Sequence, residues 1–299
     1  QSEPNYNMPL DKLLTVIVLC EVLKLFEAGG FDYCAIKDCK PRDHTLCKYP
    51  SYKPDCGLER SGLSTGHRRK ILNLHNELRQ KVALGKQAGQ PSAAGMMKLT
   101  WNNEAEDIAQ RWSERCQNAH DSCRTMMDGT SAGQNVACLT SNTSNRMQTV
   151  TRCFNLWYDE VKYVDPSTIN RYTSSRGIND SVIEDYTALV NSLTKQIGCG
   201  YVEKNVYKEI LHDVILVCNY VPAGNVMNTT IYKQGEPCSA CPEGSVCSMR
   251  YPGLCTDEED EYRDIPKRSW AIRFHPSFIP FFVSLIYIHI VFLNSSKKF

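Results

Sequence analysis

Residues 213–225 read Asp213-Val214-Ile215-Leu216-Val217-Cys218-Asn219-Tyr220-Val221-Pro222-Ala223-Gly224-Asn225. From Asp213 to Tyr220 the run has strand length and is rich in β-branched and apolar side chains, which suit a pleated, half-buried surface. Ile197 to Tyr207 repeats that composition upstream, across a short polar connection. Earlier in the chain the apolar residues fall at helical spacing instead. Ile71, Leu74, His75, Leu78 and Val82 form one stripe behind the caps Ser64 and Thr65. Asn102 and Asn103 cap a second helix, whose Glu104, Glu106 and Asp107 suit the positive end of its dipole. Its apolar face runs Ala105, Ile108, Ala109, Trp112, Cys116 and Ala119. Met147, Val150, Phe154, Trp157 and Val161 predict a third helix, and Ile183 to Leu193 a fourth. Helices first and a strand pair later predict an α+β layering rather than a parallel sheet.

The chain has 299 residues and fifteen cysteines, with 34 basic and 33 acidic side chains. A formal charge of +1 gives no reason to expect nucleic acid, because neutralising phosphates needs a basic patch. Apolar residues make up 42% and charged residues 22%, enough apolar surface to form a core. So many cysteines suit an oxidising compartment, and their odd number needs an explanation. Leu13 to Cys20 is an apolar run behind Lys12, too short for the about 20 residues that span a bilayer. With Ala28 and Gly30 placed as at a signal-peptidase site, residues 1–30 read as a signal-peptide region, with Met8 as initiator. Its removal takes Cys20 away and leaves fourteen cysteines, room for seven bridges.

Residues 31–62 read as a stapled cysteine-rich extension, 63–230 as the main domain and 231–256 as a small cysteine-rich module. In that module Cys238-x-x-Cys241 is followed by Cys247 and Cys255, with no two-His partner and no second Cys-x-x-Cys. Disulfides are therefore favoured there over zinc. Residues 257–277 read as a linker that opens acidic, and 278–299 as a hydrophobic tail. The tail's uncharged run, Phe278 to Leu293, is read as membrane attachment, through a GPI signal or a short span. Asn-x-Ser/Thr sequons at Asn142, Asn179 and Asn228 mark surface loops for glycosylation, and a fourth begins at Asn294.

Five local motifs resemble the CAP superfamily of cysteine-rich secretory, antigen 5 and pathogenesis-related proteins. They are His75-Asn76-x-x-Arg79, Leu99-Thr100-Trp101-Asn102, Gly133-Gln134-Asn135-Val136-Ala137, Trp157-Tyr158-Asp159-Glu160 and the run Cys218 to Asn225. Tyr33-Cys34-Ala35-Ile36-Lys37 with His44 to Tyr49 is similar to the arthropod antigen 5, or venom-allergen, branch. The resemblance covers roughly residues 33 to 250. It implies an α-β-α sandwich, a third layer that the periodicity alone does not provide. It also implies the bridges Cys34–Cys47, Cys39–Cys123, Cys56–Cys116 and Cys199–Cys218. Six cysteines remain; Cys138 with Cys153, plus two bridges among Cys238, Cys241, Cys247 and Cys255, is the economical pairing.

The cleft of that superfamily gathers two histidines and two acidic residues, and some members bind a divalent metal there. Carried over by position, this chain supplies His75, Gln134 and Glu160, with Asp185 in place of the second histidine and Asn191 in place of a tryptophan. His75, Glu160 and Asp185 are then the candidate metal ligands, a carboxylate-rich set suited to a harder ion than zinc. The competing reading is a structural polar cluster without metal or other cofactor. No nucleophile motif such as Gly-x-Ser-x-Gly is present. The expectation is an extracellular, non-enzymatic protein that binds a protein target or an apolar ligand such as a sterol or fatty acid. A metal-dependent hydrolase and a membrane-anchored interaction module are the alternatives.

Overall fold

A computed structural model describes residues 32–50, 57, 60–207 and 211–261. The predicted signal region, the tail with Asn294, and Cys56 lie outside these residues. Two long strands organise the chain, β4 (Gln196–Tyr207) and β5 (Leu211–Val221), paired antiparallel from Gln196↔Val221 to Tyr207↔Leu211. On the far side of β5 lies β3 (Gly133–Ser141), antiparallel in unbroken register from Gly133↔Tyr220 to Ser141↔His212. Two short strands, β1 (Arg60–Ser61) and β2 (Thr100–Trp101), complete the sheet by pairing with β4.

One face of the sheet carries the helix α3 (Asn103–Ser113), whose Ala109 and Trp112 pack on Val202, Ile215 and Val217. The helix lies close because β4 places glycines beneath it at positions 198 and 200. A Cβ at Gly198 would fall 2.1 Å from the Glu106 nitrogen, and one at Gly200 2.3 Å from the Gln110 Cα. Asn102 caps this helix by accepting from the Ala105 amide. It ends at Ser113, short of the expected Cys116 and Ala119, and Cys116 takes a left-handed φ of 56°. The opposite face carries α2 (Thr65–Ala83), α4 (Arg146–Tyr158) and α6 (Glu184–Leu189). Ile71, Phe154, Trp157, Tyr186 and Leu216 are buried there in the largest apolar cluster. The three layers are therefore an α-β-α sandwich. A short helix α1 (Thr45–Lys48) belongs to the amino-terminal extension, and α5 (Pro166–Asn170) to the loops before α6.

The extension is joined by Cys34–Cys47 internally and by Cys39–Cys123 to the main domain. Cys199–Cys218 ties β4 to β5 at directly opposed positions, and Cys116 is also disulfide-bonded. The expected Cys138–Cys153 bridge is absent: both cysteines are free. The pleat explains it. Cys138 points with Val136 to the α3 face, whereas Cys153 of α4 is buried on the other face of the sheet. Burial pushes the Cys138 thiol up to about 11 and the Cys153 thiol up to about 12, which suits inert rather than reactive cysteines.

In the carboxyl-terminal module, β6 (Ser245–Cys247) pairs with β7 (Cys255–Asp257), and the bridges are Cys238–Cys247 and Cys241–Cys255. The module is hydrogen-bonded to the loop before β2, where Lys98 N donates to Cys255 O and Cys255 N to Met96 O. The acidic run that follows is not wholly solvated. Glu261 is buried and accepts from Ser248 Oγ and the Arg250 amide. Asn142, Asn179 and Asn228 are all exposed. Among the described residues no helix is long and apolar enough to cross a membrane.

Candidate functional site

The first motif lies on α2, where the apolar stripe turns its residues into the core. His75 is fully buried. Its Nδ1 donates to Ile71 O at 2.7 Å, since a carbonyl can only accept, so Nε2 accepts from the Tyr220 hydroxyl at 3.0 Å. Burial lowers its pKa to about 4, leaving a neutral ring with neither nitrogen free. Asn76 exchanges two bonds with Leu99, accepting from its amide and donating to its carbonyl. Arg79, also fully buried, donates to the carbonyls of Met97, Leu189, Asn191 and Thr194. The motif therefore works as a clamp that ties α2 to β5, to the loop before β2 and to the segment between α6 and β4.

Glu160 sits in the 3-10 turn Asp159–Tyr163 that follows α4. Helix α6 is preceded by Ile183, which offers no side-chain cap, and Glu160 Oε2 accepts from the Tyr186 amide at 2.9 Å. The carboxylate caps a helix that belongs to another part of the chain. Asp185 lies in the first turn of that helix, and burial followed by repulsion from Glu160 and Glu184 raises its pKa to about 8. Its backbone carbonyl accepts from Asn135 Nδ2, while Asn225 Nδ2 donates to Glu184 O. Gly224 packs against Asn191, whose Cγ would lie 2.6 Å from any Cβ there. The run Cys218 to Asn225 thus closes over the start and end of α6.

Gln134 is on the other side of the sheet. Its amide donates to Asn219 Oδ1, and Asn219 in turn donates to Ala105 O of α3. Tyr220, the neighbour of Asn219 on β5, points the opposite way to His75. Gln134 Oε1 accepts from His120 Nδ1 at 3.1 Å and from the Asp121 amide. His120 was not singled out by sequence, because residues 116–123 carry cysteines but no periodic pattern; the histidine there was the only available signal.

The model of the family described as "CAP: Cysteine-rich secretory protein family" matches residues 72–220. Venom allergen 5 of Vespa magnifica is 38% identical over 240 residues, covering 76% of this chain and 100% of that protein. Venom allergen 5 of Vespa velutina is 41% identical over 216 residues, covering 68% and 99%. The chain belongs to the CAP family. Among solved CAP-fold structures, BmVAL-1 is 26% identical with a TM-score of 0.56, covering 68% of this chain and 100% of that one. NaASP2 with Zn2+ is 26% identical with a TM-score of 0.53, covering 68% and 98%.

The residues of this CAP protein do not fit a metal held by His75, Glu160 and Asp185. His75 has both nitrogens committed in the core, and Glu160 is engaged by backbone amides. Among the described residues, the three are not among the donors that gather closely enough for an ion; only Cys238, Cys241 and Cys255 do. The placement of His75 with Gln134 in one cleft is likewise corrected: the sheet separates them. Glu160 and Asp185 do come together at α6, with His75 behind them through Tyr220.

Proposed function

We propose that this CAP protein acts outside the cell by binding and does not catalyse. The observation that supports this reading most directly is the engagement of His75. A base must reach the proton it removes, and this imidazole is buried between Ile71 O and the Tyr220 hydroxyl. A metal-dependent hydrolase would need ligands that are instead spent on a helix cap and a core bond. What remains is a disulfide-stapled frame that carries exposed loops, suited to recognition of a protein target.

A second reading, an apolar ligand such as a sterol or fatty acid, has one observation in its favour. A groove of about 400 Å³ lies on the α3 face of the sheet beyond the helix, with Val202, Ile215 and Cys138 in its lining and Lys204 and Asp213 beside them. That volume is in the range of small-molecule sites. Organic extraction of the purified protein, followed by mass spectrometry, distinguishes the two. Protein recognition predicts empty extracts, and an apolar ligand lost on Ile215→Trp would establish the second reading. A hydrolytic activity abolished by His75→Ala would defeat both. Anchoring through residues 278–299 is tested separately: release from cells by a phospholipase that cleaves GPI anchors is expected for a GPI tail, and retention in carbonate-washed membranes for a span.

A further inference from the structure

We propose that the carboxyl-terminal module is a redox-gated zinc site, in which Cys238, Cys241, Cys247 and Cys255 hold one Zn2+ once both of its disulfides are reduced. The sequence offers a single Cys-x-x-Cys with no second pair behind it. The fold supplies that pair. Strands β6 and β7 place Cys247 directly opposite Cys255, and the Cys238–Cys241 loop is bridged to both. The two disulfides consequently lie side by side, and the sulfurs of Cys238, Cys241 and Cys255 are within 4.8 Å of one another. A closed zinc-tetrathiolate has Zn–S bonds of about 2.3 Å and hence sulfur-to-sulfur edges of about 3.8 Å. On reduction each bonded sulfur pair opens from about 2.05 Å to that edge, while Cys247, bonded to Cys238 but outside the close group of three, turns in from the opposed strand.

The sulfurs also differ in access. Cys247 is exposed and Cys238 and Cys241 are half-buried, open to a reductant, while Cys255 is fully buried and anchored to the Met96–Lys98 loop. The chemistry balances with a dithiol as the reductant. Each S–S bond takes two electrons and two protons and becomes two thiols, and the dithiol leaves as its own disulfide. Zinc then forms four S–Zn bonds as the four thiol protons pass to solvent.

The full-length protein is reduced in steps with a dithiol, freed of it, supplied with Zn2+ as the sole added metal, and pulsed with an alkylating agent. One zinc retained per chain is expected, with alkylation blocked at the four module cysteines and proceeding at Cys34 and Cys47. The double variant Cys241→Ser/Cys255→Ser, which leaves Cys238–Cys247 free to form, is expected to retain no zinc, and Cys138→Ser/Cys153→Ser to retain it fully. No bound zinc, zinc kept by the first variant, or zinc lost from the second overturns the proposal. Alkylation of the free, buried Cys153 before Cys241–Cys255 opens would show that the sandwich unfolds first, and that outcome overturns it as well.

Discussion

At Asp185 burial and the carboxylates of Glu160 and Glu184 act together against ionisation. Its folded pKa of about 8 lies above the value of about 3.9 in an unfolded chain. The folded state therefore holds a proton that the unfolded state releases, and stability falls as pH rises from about 4 to about 8. Asp185→Asn is expected to gain about 2 kcal/mol at pH 8 and almost nothing at pH 4; melting temperatures measured across that range check it. His75 acts in the opposite sense. Its folded pKa is lowered to about 4, so its contribution is present above the unfolded value of about 6.5 and is lost as pH falls towards 4. Arg79 is the residue whose role the sequence hid best. On a helix stripe it reads as part of a motif, yet its value lies in four carbonyls from two separate segments, which no local pattern encodes. A lysine cannot reproduce that fan of donors. Arg79→Lys is expected to cost about 3 kcal/mol or more in denaturant unfolding.

Among elements, the approach of α3 to β4 depends on the absence of two side chains. Gly200→Ala would drive a Cβ into the backbone at Gln110, where no side chain can turn aside. Overpacking against backbone costs about 1–3 kcal/mol in a yielding core, and more is expected here; Gly66→Ala, with 3.5 Å to the flexible Met147 tip, serves as the mild comparison in the same unfolding measurement. The helices and the β4–β5 pair were legible because each carries its own period. The strand β3 was not, since Gly133 to Ser141 alternates weakly and takes its identity from pairing with β5. For the same reason the motif residue Gln134 could not be assigned a face: one step in register decides whether a side chain meets α3 or α6. The start of α6 posed a related difficulty, because its cap comes from Glu160, outside its own segment.

At the scale of the molecule, the layers followed from a resemblance and not from periodicity, and the bridges set how they come apart. Cys34–Cys47 closes a short loop at the surface, and Cys34 is exposed. Cys39–Cys123 spans 84 residues and fixes the extension to the loop before β3. There Thr45 Oγ1 donates to Asp121, and Asp121 also receives Arg124. Cys199 and Cys218 have no exposure at all, shielded between the helical layers. A reductant needs access to a sulfur, so graded reduction should open Cys34–Cys47 first, Cys39–Cys123 next and Cys199–Cys218 last. Loss of the first bridge should leave the sandwich folded, because α1 and its neighbours contribute little to the main apolar cluster. Loss of the second should lower stability by about 2–4 kcal/mol through the freed loop. Alkylation at each reductant concentration, mapped by mass spectrometry beside circular dichroism, checks the order. Early opening of Cys199–Cys218 with the extension still bridged would mean that the sheet, rather than the extension, is the weakest part of the fold.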